Sequence, residues 1–141
     1  MRDILNWSSL LGGGIGGIAS WFFVDFIARP IRHFRQMRAE IYERMQYYGN
    51  VRVHEPGAAL EGIEGEKAEE AMKTLRQLGA RMLSFAATEG TAMWLIQWRG
   101  YKPKDAGHSL IGYSGTIMKM GGERAVHRAN ILAALRIVSD G

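Results

Sequence analysis

Ala68-Glu-Glu-Ala-Met-Lys-Thr-Leu-Arg-Gln-Leu-Gly-Ala-Arg-Met-Leu-Ser-Phe85 decides the fold class of this chain. Its apolar residues Ala68, Ala71, Leu75, Leu78, Met82 and Phe85 recur at alternating steps of three and four, nearly a heptad, with Met72, Gly79 and Leu83 beside them. Successive helical residues turn by about 100°, so this spacing gathers the set on one face of an α-helix. Glu64, Glu66, Glu69 and Glu70 cluster at its start, where the partial positive charge of a helix N-terminus favours carboxylates. The spacing predicts a helix over residues 65–88 that turns one face to a bundle.

Upstream, Ile31, Phe34, Met37, Ile41, Met45 and Tyr48 repeat the pattern and fall within an arc of about 120°. They predict an amphipathic juxtamembrane helix over residues 30–49, closed by Gly49-Asn50 and opened by Pro30, which suits a first turn and implies a bend at Arg29-Pro30. Two placements suit this helix: flat on the inner leaflet, or as the first helix of the bundle with Arg38 snorkelling from the edge of its apolar arc. Residues 50–64 read as a loop, and residues 65–141 as a helical domain. Within that domain a short helix Thr91 to Arg99 precedes a break at Gly100-Tyr-Lys-Pro103. A helix from Lys104 to Met120 follows, with Ala106, Leu110, Tyr113, Ile117 and Met120 on one face. The last helix, Glu123 to Val138, carries Ala125, Ile131, Leu132, Leu135 and Val138. No long period-two alternation appears, so the expected fold is all-α, a small cytoplasmic bundle of four or five helices after one N-terminal transmembrane helix.

That transmembrane helix is the reading of residues 1–29. Ile4 to Val24 is an uncharged run of 21 residues, about 31 Å long as a helix against a hydrocarbon core about 30 Å thick. Trp7 and Trp21, with Phe22, Phe23 and Phe26, stand near its two ends as interface anchors. Arg29, Arg32, Arg35 and Arg38 form a positive-inside, headgroup-facing collar, while Arg2 and Asp3 cancel, so the N-terminus is expected outside and the C-terminal domain in the cytoplasm. The collar also accounts for the net charge of +4 without nucleic acid, which is not an expected partner. A cleaved leader is the rival reading, opposed by a lone compensated Arg2 and an apolar stretch longer than such a leader carries.

Gly12, Gly13, Gly16, Gly17 and Ser20 recur at four-residue spacing inside the run, making a flat groove where a second helix can pack closely in lipid. The expected partners are membrane lipids and either a second copy of this chain or the transmembrane subunits of a larger complex. The string Gly12-x-Gly14-x-x-Gly17 also matches a dinucleotide fingerprint, but no strand precedes it and Asp25 is too close to serve as the ribose acid. No cofactor is expected.

Catalytic chemistry finds no footing. There is no cysteine, and His33, His54, His108 and His127 offer no metal-binding pair one turn apart. Ser109 or Ser114 with His127 and Asp105 lacks the strand-turn-helix elbow of a hydrolase nucleophile. Two segments exceed what a bundle needs. Trp94 and Trp98 lie one turn apart beside Arg99, either as core tryptophans or as a partner-docking patch or membrane contact. Leu110-Ile-Gly112-Tyr113-Ser-Gly115-Thr puts glycines in a helical pattern, at about 1 kcal/mol each against alanine, which implies close approach of another helix or a loop.

Phe26-Ile-Ala-Arg-Pro-Ile-Arg-His-Phe34, Met37-Arg38-Ala-Glu40-Ile41, Tyr48-Gly-Asn50-Val51, Leu110-Ile-Gly-Tyr-Ser114 and Glu123-Arg124 together resemble a group of short bacterial single-span membrane-anchored helical proteins. The resemblance implies an anchor followed by helices and carries no activity. The functional expectation is a non-enzymatic inner-membrane accessory or scaffold subunit. The alternative is a membrane-active effector that oligomerises into a pore, which dye leakage from liposomes would separate from a scaffold.

Overall fold

The computed structural model describes residues 17–49, 63–117 and 122–137. Those residues form five α-helices and no strand: α1 (Arg29–Tyr47), α2 (Ile63–Thr88), α3 (Gly90–Trp98), α4 (Pro103–Thr116) and α5 (Glu123–Ala134). The protein is all-α. Among the described residues no helix is long and apolar enough to cross a membrane, and Ile4 to Gly16 of the expected span lie outside them.

The heptad face of α2 is the centre of the core. Ala68, Ala71, Leu75, Leu78, Met82 and Phe85 are all buried. α4 lies against it in the most extensive helix contact among the described residues, contributing Ala106, Leu110 and Tyr113, and α5 packs on α4 with Ile131 and Ala134 in the same core. The α2–α4 crossing is close because both helices present glycine there. A Cβ on Gly79 would stand 2.9 Å from the Gly107 carbonyl oxygen, and one on Gly107 would stand 3.0 Å from that of Gly79. Gly112 likewise admits α5, since its Cβ would stand 2.5 Å from Cε1 of His127. Gly107 and Gly112 therefore serve close packing, Gly115 has open space at its Cβ position, and the segment is helical in place of the loop alternative.

α1 belongs to the bundle. Phe34, Met37, Ile41, Met45 and Tyr48 are buried in the core with α2, so of the two placements open to this helix the structure shows the one in the bundle. Burial of this whole stripe explains the choice, at about 1.5–3 kcal/mol for each large apolar side chain removed from water. Glu40 and Arg81 add a surface ion pair at 3.1 Å between α1 and α2, contributing less than about 1 kcal/mol.

The expected bend at Arg29-Pro30 falls directly after a π-turn. Residues 17–47 are continuously helical, and the proline is accommodated by a π-turn at Val24–Ala28. The Arg29 amide donates to the Val24 carbonyl, five residues back. Proline has no amide hydrogen and crowds the carbonyl four residues before it, and one widened turn relieves both problems without ending the helix.

Two helix ends are set by tertiary capping. α5 stops at Ala134, short of the expected Val138, because Arg136 turns left-handed at φ 49° and Ile137 donates back to the Leu132 carbonyl. Arg38 then donates from Nε to the Leu135 carbonyl at 2.9 Å and from Nη2 to that of Arg136 at 2.9 Å, while the Lys102 amide takes the Ala134 carbonyl. Ala125, expected on the apolar face of α5, is exposed. α3 ends in the same motif around Gly100, at φ +83°, with Gly100 and Tyr101 amides donating to Gln97 and Ile96. Gly100→Ala should cost about 1 kcal/mol through the left-handed backbone alone and lower the melting temperature by several degrees; an unchanged calorimetric midpoint would refute the motif.

A polar cluster at the other end of α1 joins three segments of the sequence resemblance. Buried Tyr48 donates its hydroxyl to Glu70 at 3.1 Å, and its carbonyl accepts from Arg124 at 3.1 Å. The Arg124 guanidinium also stands 5.5 Å above the Tyr113 ring, and Ser114 bonds the Ile111 carbonyl of its own helix. These residues cap and join helices.

Candidate functional site

α3 is short and half out of the fold. Ala92, Met93 and Ile96 face inward, which leaves Trp94 and Trp98 on the opposite crest with 70% and 73% of their surfaces exposed. The core-tryptophan alternative is thereby corrected. The reason lies in the register: at about 100° per residue Trp94 and Trp98 are about 40° apart, both opposite Ile96. Their periodicity would suit a core helix equally, so only the packing of α3 distinguishes the two outcomes.

Beside this crest, α3 and α1 enclose a cleft of about 190 Å³. Ile31, Phe34, Leu95, Ile96 and Tyr101 give it an apolar lining, and Arg35, Arg38 and Arg99 complete it. Arg38 is occupied with the α5 carbonyls and lies 5.8 Å from the centroid of Tyr101. The structure thus turns this member of the expected collar into the bundle. Arg29 pairs with Asp25 at 3.1 Å. Among the described residues, Arg32, Arg35 and Arg99 have no carboxylate partner within salt-bridge distance. Asp25, Phe26, Arg29, Pro30, His33 and Glu89 border a separate opening.

The N-terminal end of the described chain carries the second aromatic surface. Ile18, Trp21, Phe22, Phe23, Val24 and Phe26 are exposed, Trp21 at 60%, along residues 17–26. Phe22 stacks on Phe26 with ring centroids 4.4 Å apart. α3 touches the π-turn directly. Gly17 has open space where a Cβ would be, and Ser20 is exposed. Trp7, Gly12, Gly13, Gly16 and His54 lie outside the described residues.

The residues weighed for catalysis do not assemble. The Ser114 hydroxyl is spent on a backbone carbonyl, Asp105 and His108 are exposed in α4, and His127 lies against Gly112 with its Nδ1 buried and unpartnered. No group of three or more histidine or acidic side chains is placed to hold a metal among the described residues. On α2, the Glu69 carboxyl is held below the ordinary range by the hydrogen bond and charge of Lys73, both at the surface. The cleft itself was missed by sequence reasoning, because Ile31 and Leu95 are 64 positions apart and nothing local pairs them.

These features define a class: an all-α bundle with an exposed apolar entry helix and an aromatic, cationic face beside it. Comparison with protein-family models, curated proteins and solved structures finds no match to the chain.

Proposed function

We propose that the protein is a non-enzymatic accessory or scaffold subunit of the bacterial inner membrane, held by a single N-terminal span with its helical domain in the cytoplasm. One observation carries this reading. The entry helix displays Ile18, Trp21, Phe22, Phe23 and Val24 to its surroundings, each at least half exposed, although the bundle buries apolar side chains of the same kind elsewhere. A contiguous exposed apolar surface of this sort marks a membrane or partner contact. It directly follows the uncharged residues 4–16, and the Asp25–Arg29 ion pair neutralises the first acid after the run.

The glycine face of the span, Gly12, Gly13, Gly16, Gly17 and Ser20, would pack against a transmembrane partner, and Arg29, Arg32 and Arg35 would meet inner-leaflet headgroups. Alkaline carbonate washing of native membranes should leave the full chain in the pellet; its release into the supernatant would overturn the anchor. Gly13→Leu and Gly16→Leu should each abolish a detergent-stable complex seen with the unsubstituted chain. Assembly unchanged in both variants would remove the glycine groove from the proposal while leaving the anchor.

A further inference from the structure

We infer that the crest of α3 and the cleft beside it form a docking face for an anionic phospholipid surface, with a lipid phosphate bridging Arg35 and Arg99 and the rings of Trp94 and Trp98 at the headgroup boundary. This rests on the anchored reading above and adds a second membrane contact made by the folded domain.

The chemistry of the face singles out this occupant. Arg35 and Arg99 line one cleft and have no carboxylate partner among the described residues, and two cations held among apolar side chains are relieved by an anion between them. A planar guanidinium presents a fork of donors to phosphate oxygens. Tryptophans exposed beside arginines are also the composition of an interfacial helix, whose rings prefer the zone between hydrocarbon and water. A protein partner would leave the paired cations unexplained unless it were acidic at that point, whereas the inner leaflet is anionic throughout.

The location agrees with the chemistry. α3 rests on the π-turn at Val24–Ala28, where the apolar entry helix ends. Arg35 lies seven residues beyond Ala28, about 10 Å along the helix, while each headgroup layer is about 5–7 Å thick. Arginine snorkelling closes that gap, and it works towards the bilayer only if the cleft faces it. Docking would fix the rotation of the bundle about α1, which a single span leaves free.

The absence of cysteine from the chain permits a direct test. Thr91, exposed on the same crest of α3, is changed to cysteine in the full chain and carries a spin label. The chain is reconstituted in phosphatidylcholine vesicles with or without phosphatidylglycerol, and flotation and the label's collision with oxygen and with a water-soluble nickel chelate are measured. On anionic vesicles the oxygen-to-nickel ratio should rise several-fold over the aqueous value of a fully water-exposed label. It should return to the aqueous value on neutral vesicles, and on anionic vesicles when Arg35→Glu and Arg99→Glu are combined. A chain that floats while its label stays aqueous would overturn the docking face and leave the anchor intact, assigning the crest to a protein occupant. A chain that does not float at all would overturn both. An equal rise on neutral vesicles, whose phosphatidylcholine also carries a phosphate, would overturn the docking on an anionic surface. Both arginine side chains are solvent-exposed, so the charge-reversed chain should fold, which an unchanged thermal midpoint checks.

Discussion

Gly79→Leu should abolish the native packing of the bundle, with a loss of at least about 3 kcal/mol and a fall in melting temperature of more than about 10 °C by circular dichroism. The cause is backbone against backbone. A Cβ at Gly79 would lie 2.8 Å from Cγ1 of Ile111 and 2.9 Å from the Gly107 oxygen. The isoleucine can change rotamer, but the carbonyl is part of α4 and moves only with its helix. Because α2–α4 is the most extensive helix contact among the described residues, separating the two axes loosens Leu75, Met82 and Leu110 together. A domain with a total stability of about 5–15 kcal/mol has little reserve against this. Gly115 supplies the control within α4: nothing stands within 4 Å of its Cβ position, so Gly115→Ala should be neutral or stabilise by up to about 1 kcal/mol through helix propensity. Equal melting of Gly79→Leu and the unsubstituted chain would show that the helices do not cross at this distance.

Arg38→Ala should cost about 2–3 kcal/mol, the second-largest effect expected. Its guanidinium satisfies the Leu135 and Arg136 carbonyls at the end of α5, and these lie 97 and 98 positions away in sequence. Hydrogen bonds from a charged donor contribute about 1.5–3 kcal/mol each, reduced here because one is exposed, and the Tyr101 ring contact adds to them. Arg38→Lys should recover little, since a single ammonium cannot reproduce the two-pronged geometry. The readout that isolates the cap is hydrogen exchange: the amides of Leu135 and Ile137 should lose protection before those of α2. Arg32→Ala, at an exposed position without a carboxylate partner among the described residues, should stay within about 0.5 kcal/mol of the unsubstituted chain. If Arg38→Ala behaves like Arg32→Ala, the capping role is wrong and Arg38 returns to the headgroup collar.

The contrast between these two arginines shows where local reading ends. Arg32 and Arg38 look alike in a basic segment, and spacing placed Arg38 only at the edge of an apolar arc. What separates them is the arrival of α5 at that edge, which depends on a contact almost a hundred residues long. Trp94 and Trp98 show the same limit from the other side. Two tryptophans one turn apart are compatible with a core stripe or an exposed one, and the choice was made by which neighbours, Met93 and Ile96, the rest of the bundle could cover.

Periodicity and local stop signals such as Gly100 and Pro103 suffice for the all-α class, the core faces of α1, α2 and α4, and the helix boundaries of α2, α3 and α4 to within a few residues. The sequence also showed the uncharged run at residues 4–24, a matter of composition alone. Only the tertiary structure decided that α1 packs inside the bundle, that Pro30 is carried by a π-turn, that α5 ends early under the Arg38 cap, and that Arg35 and Arg99 share a cleft beside two exposed tryptophans. These features depend on segments distant in the chain coming together, and no pattern within one helix specifies which of its faces another helix will cover.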